Sequence, residues 1–221
     1  MAQHIHGPLY YERMGRTGPV IAFVHPNPMD QSCWIFQMAH LSTWYRCIAI
    51  DIPGYGRSPK ADAGLTMTDM AEACWEAIDD AAPGESAILV GCSVGSSLAP
   101  HMYHQAFRAT PLAHFFANLF TERNQFADVQ TIIHQFKALA QPYPEGHHER
   151  IACPTIILTG SEDGSHERAF ALKARIPHCE LKVLPGAGHA CQIEQPWLFD
   201  RFMIEFLTKH GLFPGASKPV A

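Results

Sequence analysis

Short apolar runs bounded by Gly and Pro, alternating with amphipathic stretches, restrict this chain to few architectures. "PVIAFV" (Pro19 to Val24), "RCIAID" (Arg46 to Asp51), "SAILVG" (Ser86 to Gly91), "PTIILTG" (Pro154 to Gly160) and "ELKVLPG" (Glu180 to Gly186) read as strands covered on both faces. Between them, Met67, Met70, Ala71, Cys74, Trp75 and Ile78 recur at helical spacing behind Thr66, a good N-cap. Phe199, Phe202, Met203, Phe206 and Leu207 repeat that spacing near the end. The alternation predicts an α/β fold, a mostly parallel sheet with helices on both faces.

One region breaks the pattern. From Ala99 to Glu149 no strand is legible. Leu112, Phe115, Phe116, Leu119 and Phe120 form one helical stripe, and Val129, Ile132, Ile133 and Phe136 form a second. The expected organisation is therefore a first part of the core over 1–104, a helical insertion over 105–149, and a second part of the core over 150–221. The tail from Gly211, with Pro214, Gly215 and Pro219, reads as a frayed end.

Composition removes several function classes. A chain of 221 residues with 47% hydrophobic and 17% charged residues can bury a real core. Net charge of −5 argues against nucleic acid as a partner, because such proteins present a basic face. No apolar run is long enough to span a bilayer, and the N-terminus lacks a basic and then apolar leader, so a cytoplasmic location is expected. The seven scattered cysteines include no CxxC pair and read as reduced thiols. His101 and His104 are three residues apart, and His147 and His148 are adjacent, but neither pair has a companion carboxylate or thiol cluster. No metal site is expected.

Chemistry enters at "AILVGCSVGSS" (Ala87 to Ser97). A strand, then Gly91-Cys92-Ser93-Val94-Gly95, then a helix is the setting of a nucleophile elbow. The flanking glycines let strand and helix approach closely, and the helix N-terminus favours developing negative charge at Ser93. A serine needs a base, and the base needs an orienter. In chain order these should follow later strands at the same sheet edge. "TGSEDGS" supplies Asp163, with Glu162 as fallback, and "LPGAGHA" supplies His189. Acyl transfer also needs an oxyanion hole. One donor is the N–H of Val94. The other comes from "VHPNPMD" (Val24 to Asp30), where Pro26 and Pro28 have no N–H and leave Asn27 or Met29, of which Asn27 is preferred.

With these stretches, "DIPGYGRS" (Asp51 to Ser58) and "LPGAGHACQIEQP" (Leu184 to Pro196), the chain resembles the α/β-hydrolase fold family from about Leu9 to Leu212. The resemblance implies a serine triad, no cofactor, and a helical cap that with the core sandwiches a small, largely apolar substrate, with Phe115 and Phe116 as candidate pocket wall. Three departures stand out. His25-Pro26 replaces the usual His-Gly, Ser96 replaces a second glycine after the elbow, and Pro100 falls early in the elbow helix.

The largest departure lies near His104 and Gln105, where the family runs through a further parallel strand before its cap. Here "HMYHQAFRATPL" passes straight into cap-like sequence. A crossover takes a dozen residues or more, so one strand after the nucleophile helix is lacking. Omission of residues from the sequence is preferred over true deletion, since deletion would expose backbone groups next to the elbow. Omission predicts a Cα separation above about 3.8 Å near His104 and Gln105.

Three readings of function follow. The first is a cofactor-independent serine esterase, amidase, carbamate hydrolase or lactonase acting through an acyl-enzyme. The second is carbon–carbon bond hydrolysis of a ring-cleavage diketone by the same triad. The third is a ligand-binding member of the fold with an idle triad. Cys92 reads as a buried thiol rather than a reactive one. The expected partner is a small-molecule substrate, with a homodimer open.

Overall fold

The computed structural model describes residues 4–92, 109–124, 127–141, 146 and 148–214. Ser93, Val94 and the His104–Gln105 junction lie outside these residues, and with them the expected elbow geometry and the expected Cα separation. By contact the chain forms two units, Met1–Ser97 with Phe116–Pro142, and Leu98–Phe115 with Tyr143–Ala221.

In the first unit, β1 (Tyr11–Met14), β2 (Val20–Val24), β3 (Arg46–Ile50) and β4 (Ala87–Gly91) form a sheet in the order β1-β3-β2-β4. β3, β2 and β4 run parallel, and β1 lies antiparallel to β3. β2 and β3 are buried on both faces, as their unbroken apolar runs require. Val20, Ala22, Ile48 and Ile50 pack with Ala73, Ala77 and Ile78 of α2 (Met67–Ala81). Phe23 stacks at 5.3 Å on Trp34, just before α1 (Ile35–Leu41). Both rings are fully buried.

β1 escaped the sequence reading because "YERM" has no apolar run: Glu12 and Arg13 belong to a part-exposed strand at the margin of the sheet. At the other described margin, β4 pairs only with β2 among the described residues, and Leu89 on it is 55% exposed.

Thr66 caps α2 as expected. Its Oγ1 accepts the Asp69 N–H at 3.1 Å, and the Asp69 carboxylate accepts the Thr66 N–H at 2.8 Å. The buried face of the helix, however, is Met70, Ala73, Ala77 and Ile78, whereas Trp75 is exposed. Small alanines let the helix lie close on the sheet, and the indole does not fit there.

α3 (Pro111–Asn124) and α4 (Val129–Leu139) occupy the region where no strand was expected. In α4 the expected stripe is not the buried face. Thr131, Gln135 and Ala138 are buried, while Val129 and Ile133 are exposed. The reason is polar. Thr131 Oγ1 accepts the Ala61 N–H at 2.9 Å, and Gln135 Nε2 donates to the Pro53 carbonyl at 2.5 Å. These bonds satisfy backbone groups of the 51–65 loop that no strand or helix serves. Ile132 of the stripe packs against the Ile52 and Tyr55 cluster.

The second unit holds β5 (Thr155–Gly160) and β6 (Cys179–Leu184), a parallel pair joined through α5 (His166–Arg175). α6 (Cys191–Glu194) and α7 (Pro196–Lys209) follow, and α7 buries Phe199, Met203, Phe206 and Leu207 at the expected spacing. Among the described residues no helix is long and apolar enough to cross a membrane.

Candidate active site

The turn after β5 and the turn after β6 bring Asp163 and His189 together. His189 Nδ1 lies 2.9 Å from Asp163 Oδ2 and 3.0 Å from Oδ1. The close approach of the two turns depends on Gly160. A Cβ there would sit 2.1 Å from the Ala187 carbonyl oxygen and 2.3 Å from that of Gly188. We expect Gly160→Ala to force the His189 turn away and cost about 1–3 kcal/mol, read as a lower urea midpoint with an unchanged m-value.

The carboxylate is itself held. Ser165 donates its N–H to Asp163 Oδ1 at 2.8 Å and its hydroxyl to the same oxygen at 2.9 Å. Burial pushes the Asp163 carboxyl upward, but the His189 hydrogen bond, the Ser165 N–H and the nearby imidazole outweigh it, so its pKa falls below the ordinary value. Asp163 is thus ionised at neutral pH and fixes the proton of His189 on Nδ1. Nε2 of His189 is buried with no hydrogen-bond partner among the described residues. An imidazole with a proton pinned at one nitrogen and a free lone pair at the other can act as a general base. Glu162 is turned elsewhere, accepting from Ser161 Oγ at 2.9 Å, and does not bond His189.

In the first unit, the expected oxyanion loop follows β2. The Met29 N–H is engaged by the Pro26 carbonyl at 2.9 Å. Asn27 is buried, and its N–H has no hydrogen bond among the described residues. Of the two donors left by the prolines, Asn27 is therefore the one available. The loop lies beside the end of β4, since Val24 pairs with Gly91 and the Cys92 N–H donates to the Val24 carbonyl at 3.2 Å. Cys92 immediately precedes Ser93 in the chain.

Sequence reasoning missed the network under this loop. His25 is fully buried and its Nε2 accepts the Ile52 N–H at 3.0 Å. Its Nδ1 must then carry the proton and donate to the Pro26 carbonyl at 3.0 Å. Asp51 accepts the Gln31 N–H at 2.9 Å and the Arg57 N–H at 3.0 Å. Gly56, at φ +51, leaves the room that this carboxylate fills. In the sequence, only "DIPGYGRS", one of the stretches that carry the family resemblance, touched the network, because its bonds run from loop to loop.

Burial lowers the His25 pKa to about 4, although the Pro26 carbonyl and Asp30 pull the other way. A histidine with a folded pKa below its unfolded value takes up its proton more readily when unfolded. Stability is therefore full above about pH 6.5 and falls as pH drops towards 4, by about 3 kcal/mol in all. Denaturant unfolding across this range should show the slope, and His25→Gln should flatten it.

Phe115 and Phe116 part company. Phe116 is fully buried with its ring 5.8 Å from that of Phe36, and Phe115 is 57% exposed. Among the described residues no three His, Cys, Asp or Glu side chains gather as a metal site would need. All seven cysteines are free thiols.

Comparison with known proteins bears on this geometry. Residues 21–117 match the model of an alpha/beta hydrolase family. ABHD14B of Rattus norvegicus is 25% identical over 171 residues, covering 75% of this chain and 70% of that protein. The dihydrolipoyllysine-residue acetyltransferase component of the acetoin cleaving system of Pseudomonas putida is 24% identical over 249 residues, covering 91% of this chain and 66% of that one. The chain thus spans about two thirds of the length of such relatives. That second alignment is longer than the chain's 221 residues, so the relative has residues with no counterpart here. The enol-lactonase from Burkholderia xenovorans LB400 superposes with a TM-score of 0.77 at 17% identity, over 92% of this chain and 98% of that one. With its sheet order, the match over residues 21–117 and these neighbours, the chain has the α/β-hydrolase fold.

Proposed function

We propose that the chain is a cofactor-independent serine hydrolase that cleaves a small, largely apolar ester, amide, carbamate or lactone through an acyl-enzyme. The observation that carries this reading is the Asp163–His189 pair, with Nδ1 bound to the carboxylate and Nε2 left open. In the proposed reaction His189 Nε2 takes the Ser93 proton as Oγ attacks the carbonyl carbon. The N–H groups of Asn27 and Val94 stabilise the oxyanion. The imidazolium returns the proton to the leaving group, and water releases the acyl group by the same steps.

The half-exposed Leu89 on β4 supports the companion reading that one strand beside the elbow is absent from this sequence. Specificity would then reside in α3 and α4, with Phe115 the more exposed of the two proposed pocket phenylalanines.

Reaction with a fluorophosphonate probe, together with turnover of p-nitrophenyl butyrate, tests the proposal. Stoichiometric labelling at Ser93 with ester turnover is expected. Folded protein that takes no label is instead a binding member of the fold. Labelled protein that turns over a vinylogous diketone and not the ester belongs to the carbon–carbon bond class.

A further inference from the structure

The Asn27 side chain is a buried carboxamide with no bonding partner among the described residues. The residue is 1% exposed, and neither Oδ1 nor Nδ2 has a hydrogen-bond partner among the described residues. Leaving such a group unpaired destabilises a fold, so each case in a native structure calls for a reason. The local sequence rules out the usual remedy. An asparagine commonly satisfies its Oδ1 with the N–H two residues on. Here that N–H belongs to Met29 and is engaged by the Pro26 carbonyl at 2.9 Å, while Pro28 has none. Pro-Asn-Pro therefore holds a donor and an acceptor side by side, and the next two residues offer neither of them a free N–H. A leucine would fill the same volume without that cost.

The position is telling. Asn27 follows the carboxyl end of β2, whose neighbour β4 ends one residue before Cys92 and two before Ser93. Ligands of open parallel sheets bind outside the carboxyl ends of their strands. From these observations we infer that the Asn27 carboxamide is a specificity-determining contact. It reads a primary carboxamide, or the cis-amide of a lactam, carried on the acyl part of the substrate. Such a group presents one N–H and one C=O on the same side and satisfies both Asn27 atoms at once. A carboxylate offers no donor for Oδ1, and a methyl group offers nothing. The inference rests on the hydrolase reading above and narrows its substrate class.

The test uses two isosteric esters, p-nitrophenyl glutaramate and p-nitrophenyl 5-methylhexanoate, with spontaneous hydrolysis subtracted. The native protein should favour the glutaramate in kcat/KM by about 10-fold or more, because a site built around paired polar groups rejects an analogue lacking them. Asn27→Leu should reverse that preference while melting at the same or a higher temperature. Equal preference in the two proteins overturns the inference, and so does a marked loss of thermal stability in Asn27→Leu, which would make the carboxamide structural. Binding separates this inference from the catalytic one. Titrated calorimetrically against Ser93→Ala protein, glutaramate should bind more tightly than 5-methylhexanoate, and the difference should vanish when Asn27→Leu is added. Tighter glutaramate binding without ester turnover by the native protein would retain the recognition and discard the hydrolysis. Equal or absent binding of both acids discards the recognition.

Discussion

Ser93→Ala should abolish fluorophosphonate labelling and lower kcat on an activated ester on the order of 10⁶-fold, with a melting curve close to that of the native protein. The size follows from the way a nucleophile and its base act together. In the proposed mechanism, without Oγ the lone pair of His189 Nε2 would have no hydroxyl to deprotonate, and the oxyanion donors alone would retain only modest catalysis over water. His189→Ala should fall to a similar level, and the double variant should be no worse than either single one. Such non-additivity, measured in kcat on one ester, is the signature of a common unit. A Ser93→Ala protein that keeps most of its turnover would place the chemistry elsewhere.

Asp163→Asn should lower kcat by about 10⁴-fold at neutral pH with little change in stability, since shape is preserved. The geometry gives the reason. Asp163 Oδ1 accepts the Ser165 N–H at 2.8 Å, so the carbonyl oxygen of an asparagine would take that place. Its NH₂ would then face His189 Nδ1, where Oδ2 lies at 2.9 Å. A donor at that position forces Nδ1 to accept, which moves the imidazole proton to Nε2 and leaves no lone pair for Ser93. Glu162→Gln is the control. That carboxylate bonds Ser161 and should be dispensable. Kinetics on both variants, with melting temperatures alongside, decide between the two acids.

Much of the fold could be read directly from residue order. Each of the five apolar runs became a strand, without Pro19, Asp51, Ser86, Pro154, Pro185 and Gly186, and with Cys179 added at the start of the last. Such runs are legible because a strand covered on both faces must be apolar at every position. The order Ser93, Asp163, His189 could likewise be read from turns that follow strands. Less visible were the elements that owe their place to neighbours. β1 alternates charge with partial burial and shows no apolar run. α4 carries an apolar stripe, yet its buried face bears Thr131 and Gln135, because the 51–65 loop presents backbone groups that need partners more than it presents apolar area.

The amino-acid sequence by itself therefore determined the strand and helix alternation, the cap of α2 and the chain order of the candidate chemical groups, all of which depend on near neighbours and on burial periodicity. Tertiary structure alone decided which of two adjacent carboxylates meets His189, which N–H of Asn27 and Met29 is left without a partner among the described residues, and that a buried His25 stays neutral. Those outcomes depend on contacts between segments far apart in the chain, such as the bare Gly160 that admits the His189 turn. No local periodicity encodes distances of that kind.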